Sequence, residues 1–356
     1  MGIERLALYD LTYEQLEALL TGWGEPRFRA DQVWKWLYSS LVDSFEAMRN
    51  VPKALRERLA AETDLALLTP LAEQESLSGQ TRKVLFRLRD GQTVESVLMR
   101  YDERRTACIS TQVGCGMGCV FCATGQGGLA RNLSAGEIIA QVLYFAREIR
   151  QSDLQPSASN LEHPISNIVL MGMGEPLANF AATWQALETL TDDRGYNLGA
   201  RRITLSTVGL VPGIQRLAEQ GLPINLAISL HAADDELRNR IVPINRRYPL
   251  AELMAAVREY VEQTGRRVTF EYALIDGLND SVEQAQKLAA LLHGLLCHVN
   301  LIPLNPTPGS PLQPSSREQV DAFRQELEWA GIQATVRMRR GIDIEAGCGQ
   351  LRLRQP

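Results

Sequence analysis

The sequence predicts an α/β fold: a partial (β/α)6 barrel with a small N-terminal helical domain and a β-hairpin extension. Three observations carry this. From Thr106 onward, strand-like and helix-like segments alternate about six times, and repeated βα units imply a parallel sheet. No Gly-x-Gly-x-x-Gly turn opens that run, which favours a barrel over a doubly wound fold. The first 65 residues show apolar periodicity of the helical kind only.

Taken in order, residues 11–21 read as a helix that ends near Gly22. Residues 27–39 form a second, with Val33, Trp34, Trp36, Leu37 and Tyr38 on its apolar stripe. Residues 45–50 and 52–62 continue the pattern, and Pro52 suits a first helical turn. The tryptophans are expected to fill the core of this bundle, which as a basic helical module also suits RNA. Residues 83–89 then alternate, Asp90-Gly91 signals a hairpin turn, and residues 93–101 return. Glu95 falls on the same face as Val97 and Met99. A carboxylate there is a rim residue, an arginine partner, or a buried acid with a raised pKa.

After residue 106 the expected strands are 106–112, 167–171, 202–207, 225–230, 267–274, 298–304 and a short 334–338. The expected helices are 134–150, opened by the capping box Ser134-x-x-Glu137, then 180–192, 211–220, 250–264, 281–292 and 315–330, capped by Ser315-x-x-Glu318. Residues 151–164 read as a polar loop. The domains expected are 1–65 (helical), 66–105 (hairpin), 106–342 (barrel) and 343–356 (tail). Barrel active sites lie at the carboxyl ends of the strands. The candidates just past each strand are a cysteine loop, Gly174-Glu175, Ser206, Ser229-Leu230-His231 and Asn305.

With 356 residues, 45% of them hydrophobic, the chain can bury a full-sized core. The charged, mixed N-terminus is not a signal peptide, and no apolar run approaches the ~20 residues of a membrane span. Six unevenly placed cysteines fit chemistry in a reducing cytoplasm better than a disulfide framework. The net charge of −5 argues mildly against a nucleic-acid partner. Yet arginines come in pairs, Arg104-Arg105, Arg201-Arg202, Arg246-Arg247, Arg266-Arg267 and Arg339-Arg340, and arginine suits phosphate contacts and stacking on bases. Each pair is otherwise a solvated strand end.

Cys115, Cys119 and Cys122 are spaced C-x3-C-x2-C. Gly114, Gly116 and Gly118 let that loop turn tightly. Three thiolates on one short loop suit a metal or an iron–sulfur cluster with one iron left open. A zinc site completed by Cys108 or Cys348, and a redox pair Cys119-x-x-Cys122, are the other readings. Cys297 in an apolar run reads as core, and His163, His293 and His298 as structural. Met171 and Met173 either pack or line a pocket. Cys348, between Gly347 and Gly349 in a tail expected to be mobile, is not a core residue.

The cysteine spacing, with Phe121 before the last cysteine, resembles the radical S-adenosylmethionine (SAM) superfamily. The match narrows to the RlmN family of dual-specificity RNA methyltransferases. Cys108-Ile-Ser-Thr-Gln-Val-Gly-Cys115, Met171-Gly-Met-Gly-Glu-Pro-Leu177, Leu205-Ser-Thr-Val-Gly-Leu210, Ser229-Leu-His231, Leu301-Ile-Pro-Leu-Asn-Pro306 and Gly-Cys348 carry it. The seven-residue step from Cys108 to Cys115, together with the lone Cys348, is its most specific part.

The resemblance implies methylation of adenosine C2, at position 2503 of 23S rRNA and position 37 of tRNAs. It assigns Cys115, Cys119 and Cys122 to a [4Fe–4S] cluster. Gly174 and Glu175 go to the methionine end of SAM, and Ser206, Ser229, Leu230, His231 and Asn305 to the rest of it. Cys348 becomes the methyl carrier, Cys108 its transient disulfide partner, and Glu95 the proton acceptor. A 5′-deoxyadenosyl radical takes a hydrogen from S-methyl-Cys348, because C2 of adenine is not nucleophilic. Flavodoxin or ferredoxin is expected as electron donor from the same resemblance; the cytoplasmic location is the expectation from the cysteines, and a monomer is the default. Cfr-type enzymes, which methylate C8 of the same adenosine, share the cysteine pattern. A four-cysteine zinc module that binds RNA without catalysis is the reading from another class.

Overall fold

A computed structural model describes residues 5–152, 163–307, 309–338 and 340–352. Most of the loop expected at 151–164, Arg339 and the last four residues of the tail lie outside them. The N-terminal module begins with β1 (Leu6–Ala7). Helices α1 (Tyr13–Gly22), α2 (Phe28–Tyr38) and α3 (Lys53–Glu62) follow, and β2 (Thr63–Asp64) pairs in parallel with β1. Thr12 opens α1 with a capping box to Gln15. Trp34, Leu37 and Tyr38 are fully buried.

Two expectations fail in this module. Trp36 and Trp23 are only half-buried: Trp36 Nε1 donates to Asn50, and Trp23 lies under the Arg58 guanidinium at 4.3 Å. Residues 45–50 form no helix. Met48 N donates to Phe45 O at 3.1 Å and Val51 N to Met48 O at 3.0 Å, two successive turns. These bury Phe45, Met48 and Val51, whose three-residue spacing imitates a helical stripe.

The next strands form an antiparallel meander of β3 (Leu68–Glu75), β4 (Thr81–Leu88) and β5 (Thr93–Arg100), and β5 pairs with β6 (Arg105–Cys108). The extension therefore has three strands, and it continues the barrel sheet. β3 escapes the sequence pattern because it is an exposed edge whose register slips between Pro70 and Ala72, as proline on an edge strand permits. The strand expected at 106–112 breaks after Cys108. Gln112 starts β7 (Gln112–Gly114), which pairs with β8 (Leu129–Asn132) across the cysteine loop and its short helix α4 (Ala123–Gln126).

The barrel then runs α5 (Ala135–Ser152), β9 (Asn167–Leu170), α6 (Phe180–Thr191), β10 (Ile203–Thr207), α7 (Val211–Ala218), β11 (Asn225–Ser229), α8 (Asp235–Ile241), α9 (Leu250–Thr264), β12 (Val268–Leu274), α10 (Val282–Leu292), β13 (Cys297–Pro303), α11 (Arg317–Trp329) and β14 (Ala334–Val336). The ten-stranded sheet has the order β14-β13-β12-β11-β10-β9-β6-β5-β4-β3 and does not close. From β6 to β14 it is parallel. Six βα units plus a final bare strand make a partial barrel, as the sequence predicts. Helix starts follow local chemistry: Ser134 and Glu137 form the box that opens α5. At α11 the capping pair is Ser316 with Gln319, one residue beyond the expected pair. Arg147 ties α5 to the N-terminal module, donating to Leu41 O and to the Tyr9 hydroxyl, so one core spans both.

Candidate functional site

A cavity of about 150 Å³ opens at the carboxyl ends of the parallel strands. The cysteine loop forms one wall: Cys115, Cys119 and Cys122 all line it. Gly114 and Gly118 have φ of +80° and +68°, a conformation glycine reaches without strain. Gly116, expected to share this role, does not. Burial pushes all three thiols above their ordinary range, Cys115 to about 12. Such thiols stay protonated unless a metal charge offsets their desolvation.

The facing wall comes from the segment after β9. Gly174 has φ +104°, and a Cβ there would lie 2.6 Å from Gln112 Cβ, so glycine is required twice over. Gln112 Oε1 accepts from Glu175 N at 2.8 Å, joining this segment to the cysteine loop. The Glu175 carboxylate is buried and accepts from Leu177 N at 3.1 Å and Val208 N at 2.9 Å. Burial raises it to about 7, while those N–H groups and Thr207 hold it down. At neutral pH it is poised between acid and carboxylate, suited to receive a cationic or N–H-bearing group.

Ser206 and Ser229 reach each other across β10 and β11, Oγ to Oγ 3.3 Å. His231 sits in the left-handed region at φ +61°. Its Nδ1 accepts from Ala273 N at 3.0 Å, which puts the ring proton on Nε2. Burial, then the charge of Arg238, lowers it to about 3, so it is neutral at pH 7. Phe121 of the cysteine loop meets its ring edge-on at 4.7 Å. Leu230 does not line the cavity; its side chain lies in the core. Asn305 does line it: its Nδ2 donates to Cys348 O at 3.1 Å, and its buried Oδ1 has no partner. An orphan acceptor in a cavity wall calls for a donor from a ligand.

Cys348 lines this cavity and also a second, smaller one, which it shares with Cys108, Val97, Met99 and Tyr101. Both thiols are free. As far as residue 352 the tail is hydrogen-bonded to the rest of the chain: Ala123 N donates to Gly349 O, Thr124 Oγ1 to Leu351 O, and Gln350 Nε2 to Pro306 O. Arg337 lines both cavities, and its guanidinium is held above its usual range chiefly by the Cys348 thiol, then by Glu271 and Cys108. Burial pushes Cys108 up to about 12.

Glu95 lies one step further along the face of Val97 and Met99 but lines neither cavity. It is fully buried, with the Lys83 ammonium at 3.5 Å and Arg352 N donating to Oε2 at 3.0 Å. The ion-pair partner found among the described residues is Lys83. Met171 lines both cavities; Met173 is wholly buried and packs. Cys297 is half-buried at the start of β13 and packs against the main core. Of the arginine pairs, Arg104 and Arg340 stack on Tyr101 at 4.2 and 4.3 Å beside the second cavity. Arg201-Arg202 and Arg266-Arg267 precede β10 and β12, at the strand ends remote from the cysteine loop.

Sequence reasoning missed Gln112, Glu271, Arg337, Lys83 and Arg238. Gln112 and Arg337 were detectable as polar residues at strand ends. Lys83 was detectable as the cross-strand diagonal of Glu95. Among the described residues, no three His, Cys, Asp or Glu side chains gather closely enough for one metal ion. Three thiols spread along a cavity wall fit a polynuclear cluster better than a single zinc.

Residues 6–65 match the model of the ribosomal RNA large subunit methyltransferase N-terminal domain, and residues 109–289 that of the radical SAM superfamily. A Roseiflexus (strain RS-1) protein named "Probable dual-specificity RNA methyltransferase RlmN" is 53% identical over 97% of this chain and 95% of its own. One of the same name from Chloroflexus aurantiacus is 53% identical over 98% and 93%. The crystal structure of a radical SAM methyltransferase from Sphaerobacter thermophilus superposes with a TM-score of 0.93 at 54% identity, covering 98% of this chain and 99% of that one. The chain belongs to the RlmN family of dual-specificity RNA methyltransferases, within the radical SAM superfamily.

Proposed function

We propose that this enzyme methylates C2 of adenosine, at position 2503 of 23S rRNA and position 37 of tRNAs, with Cys348 carrying the methyl group. The carrying observation is that Cys348 lines two cavities at once, one walled by the three cysteines and Glu175, the other by Cys108. Cys115, Cys119 and Cys122 would hold a [4Fe–4S] cluster, which with SAM beside it would supply radical chemistry. Gly174 and Glu175 receive the amino end of SAM. Ser206, Ser229, His231 and Asn305 receive the rest, and Leu230 serves only by shaping the backbone there.

Cys348 takes the methyl from SAM as a thiolate, releasing S-adenosylhomocysteine, with the Arg337 guanidinium lining the same cavity. Once the carbon is joined to adenine C2, the adduct gives up one electron, which the iron–sulfur cluster would accept, and Glu95 takes the C2 proton. Glu95 is covered by Arg352 N in this structure, so the tail moves aside for that step. Cys108 then attacks the Cys348 sulfur. The S–C bond breaks, an S–S bond forms, the released carbon takes up a proton to become the new methyl group, and a two-electron reductant resets the thiols. The N-terminal module contacts RNA, flavodoxin or ferredoxin delivers electrons, and the enzyme works in the cytoplasm as a monomer.

The test is nucleoside mass spectrometry of 23S rRNA fragments and tRNA transcripts after anaerobic turnover. 2-Methyladenosine is expected. 8-Methyladenosine would move the reading to the Cfr-type reaction, and no methyladenosine would overturn it.

A further inference from the structure

We propose that Arg238 sets the reduction potential of the iron–sulfur cluster, by holding a positive charge without an ion-pair partner behind the cysteine loop; this rests on the cluster reading above. Arg238 lies on α8 and is 0% exposed. Its guanidinium donates to Leu230 O at 3.0 Å, Asn245 Oδ1 at 2.7 Å, Val208 O at 2.7 Å and Ser229 O at 3.3 Å. All four acceptors are neutral. Among the described residues no carboxylate forms an ion pair with it; Asp235 acts on it only through space, its Oδ1 being taken by Asn245 Nδ2 and Leu250 N. Burying an unpaired charge is costly. Burial draws Arg238 down to about 10, and Cys119 is the first of the groups that restore its charge.

α8 backs directly onto the cysteine loop. Val120 N donates to Ile241 O at 3.1 Å. Cys119 shares an apolar cluster with Leu237, Ile241 and Val242. The charge therefore sits behind Cys119, in a dry interior where screening is weak. Three thiolates on a dicationic cluster core carry one net negative charge, and an electron from an external donor makes it two. A buried cation favours the doubly charged form, so it raises the potential; net charge and burial are general levers on such clusters.

The competing account is purely structural. Arg238 ties together Val208, Ser229 and Leu230, the strand ends that frame the cavity. Charge and scaffolding separate under substitution. The experiment is an anaerobic redox titration of the reconstituted protein by electron paramagnetic resonance, with iron and sulfide content and SAM affinity measured alongside.

Arg238→Gln should shift the reduction equilibrium at least tenfold towards the oxidised cluster, 59 mV for one electron. Arg238→Lys keeps the charge but not four hydrogen bonds. It should hold the potential within threefold while weakening SAM binding several-fold. Asp235→Asn retains both accepted hydrogen bonds and should raise the potential, by less. Fully loaded Arg238→Gln protein with an unshifted potential, or equal falls in the lysine and glutamine variants, would overturn the proposal. Should Arg238→Gln not fold, an unchanged or lowered potential in Asp235→Asn does so. A wild-type chain that takes up no four-iron cluster overturns the cluster reading itself, and this proposal with it.

Discussion

Replacing Glu175 with glutamine should change stability in a way that reverses with pH. Burial raises Glu175 from 4.5 to about 7. The unfolded chain therefore loses this proton first, and the folded state loses stability as pH climbs from 4.5 towards 7. A shift of 7 − 4.5, about 2.5 units, is worth ~3 kcal/mol in total, of which ~2.5 kcal/mol is lost between pH 5 and pH 8. Glutamine cannot ionise and escapes that loss. It does, however, turn its NH2 towards one of the two donors, Leu177 N or Val208 N, leaving that N–H unsatisfied at a cost of about 1–3 kcal/mol.

The variant should thus be no more stable than wild type at pH 5, and as stable or more so at pH 8. Urea unfolding of the cluster-free chain without SAM, followed by tryptophan fluorescence at several pH values, gives the difference directly. A difference that stays constant within ~0.5 kcal/mol across that range would refute the reasoning. The same substitution should weaken SAM binding in the loaded enzyme.

Three further outcomes follow from the geometry. Gly174→Ala, at φ +104° with Gln112 N only 2.7 Å from the new Cβ, should cost about 2–5 kcal/mol of strain and overpacking; calorimetry would show it, and SAM binding should be lost. Lys83→Met removes the ammonium 3.5 Å from buried Glu95. It should destabilise by on the order of 3 kcal/mol and slow product formation, measured as methyladenosine per turnover, while leaving methyl transfer to Cys348 in place. His231, lowered to about 3, should contribute no inflection between pH 5 and pH 8, so His231→Gln should change SAM affinity without reshaping the pH–rate profile.

The parts of the site that were legible in the sequence are those at strand ends. Gly174-Glu175, Ser206, Ser229, His231 and Asn305 follow short apolar runs, and a parallel sheet gathers such positions at one mouth. The cysteine spacing pointed to the radical SAM superfamily, whose model residues 109–289 match. Arg238 was hidden because the charged run Asp235-Glu-Leu-Arg-Asn-Arg-Ile241 was assigned no element from sequence; only the fold makes it α8 and buries that one arginine. β3 was hidden because an exposed edge strand has no buried face to alternate. The tail seemed mobile from its glycines, yet its backbone is bonded to residues far away in sequence, Ala123, Thr124 and Asn305. Local sequence carries no record of such partners.

The most direct test of the methyl-carrier account is peptide mass spectrometry of Cys348 in protein purified without oxygen, beside a Cys108→Ala variant. A single added methyl on wild-type Cys348, and trapped RNA on the same peptide in Cys108→Ala, are the results the account predicts. Cys348 unmodified in both, in a chain that binds zinc, would contradict it.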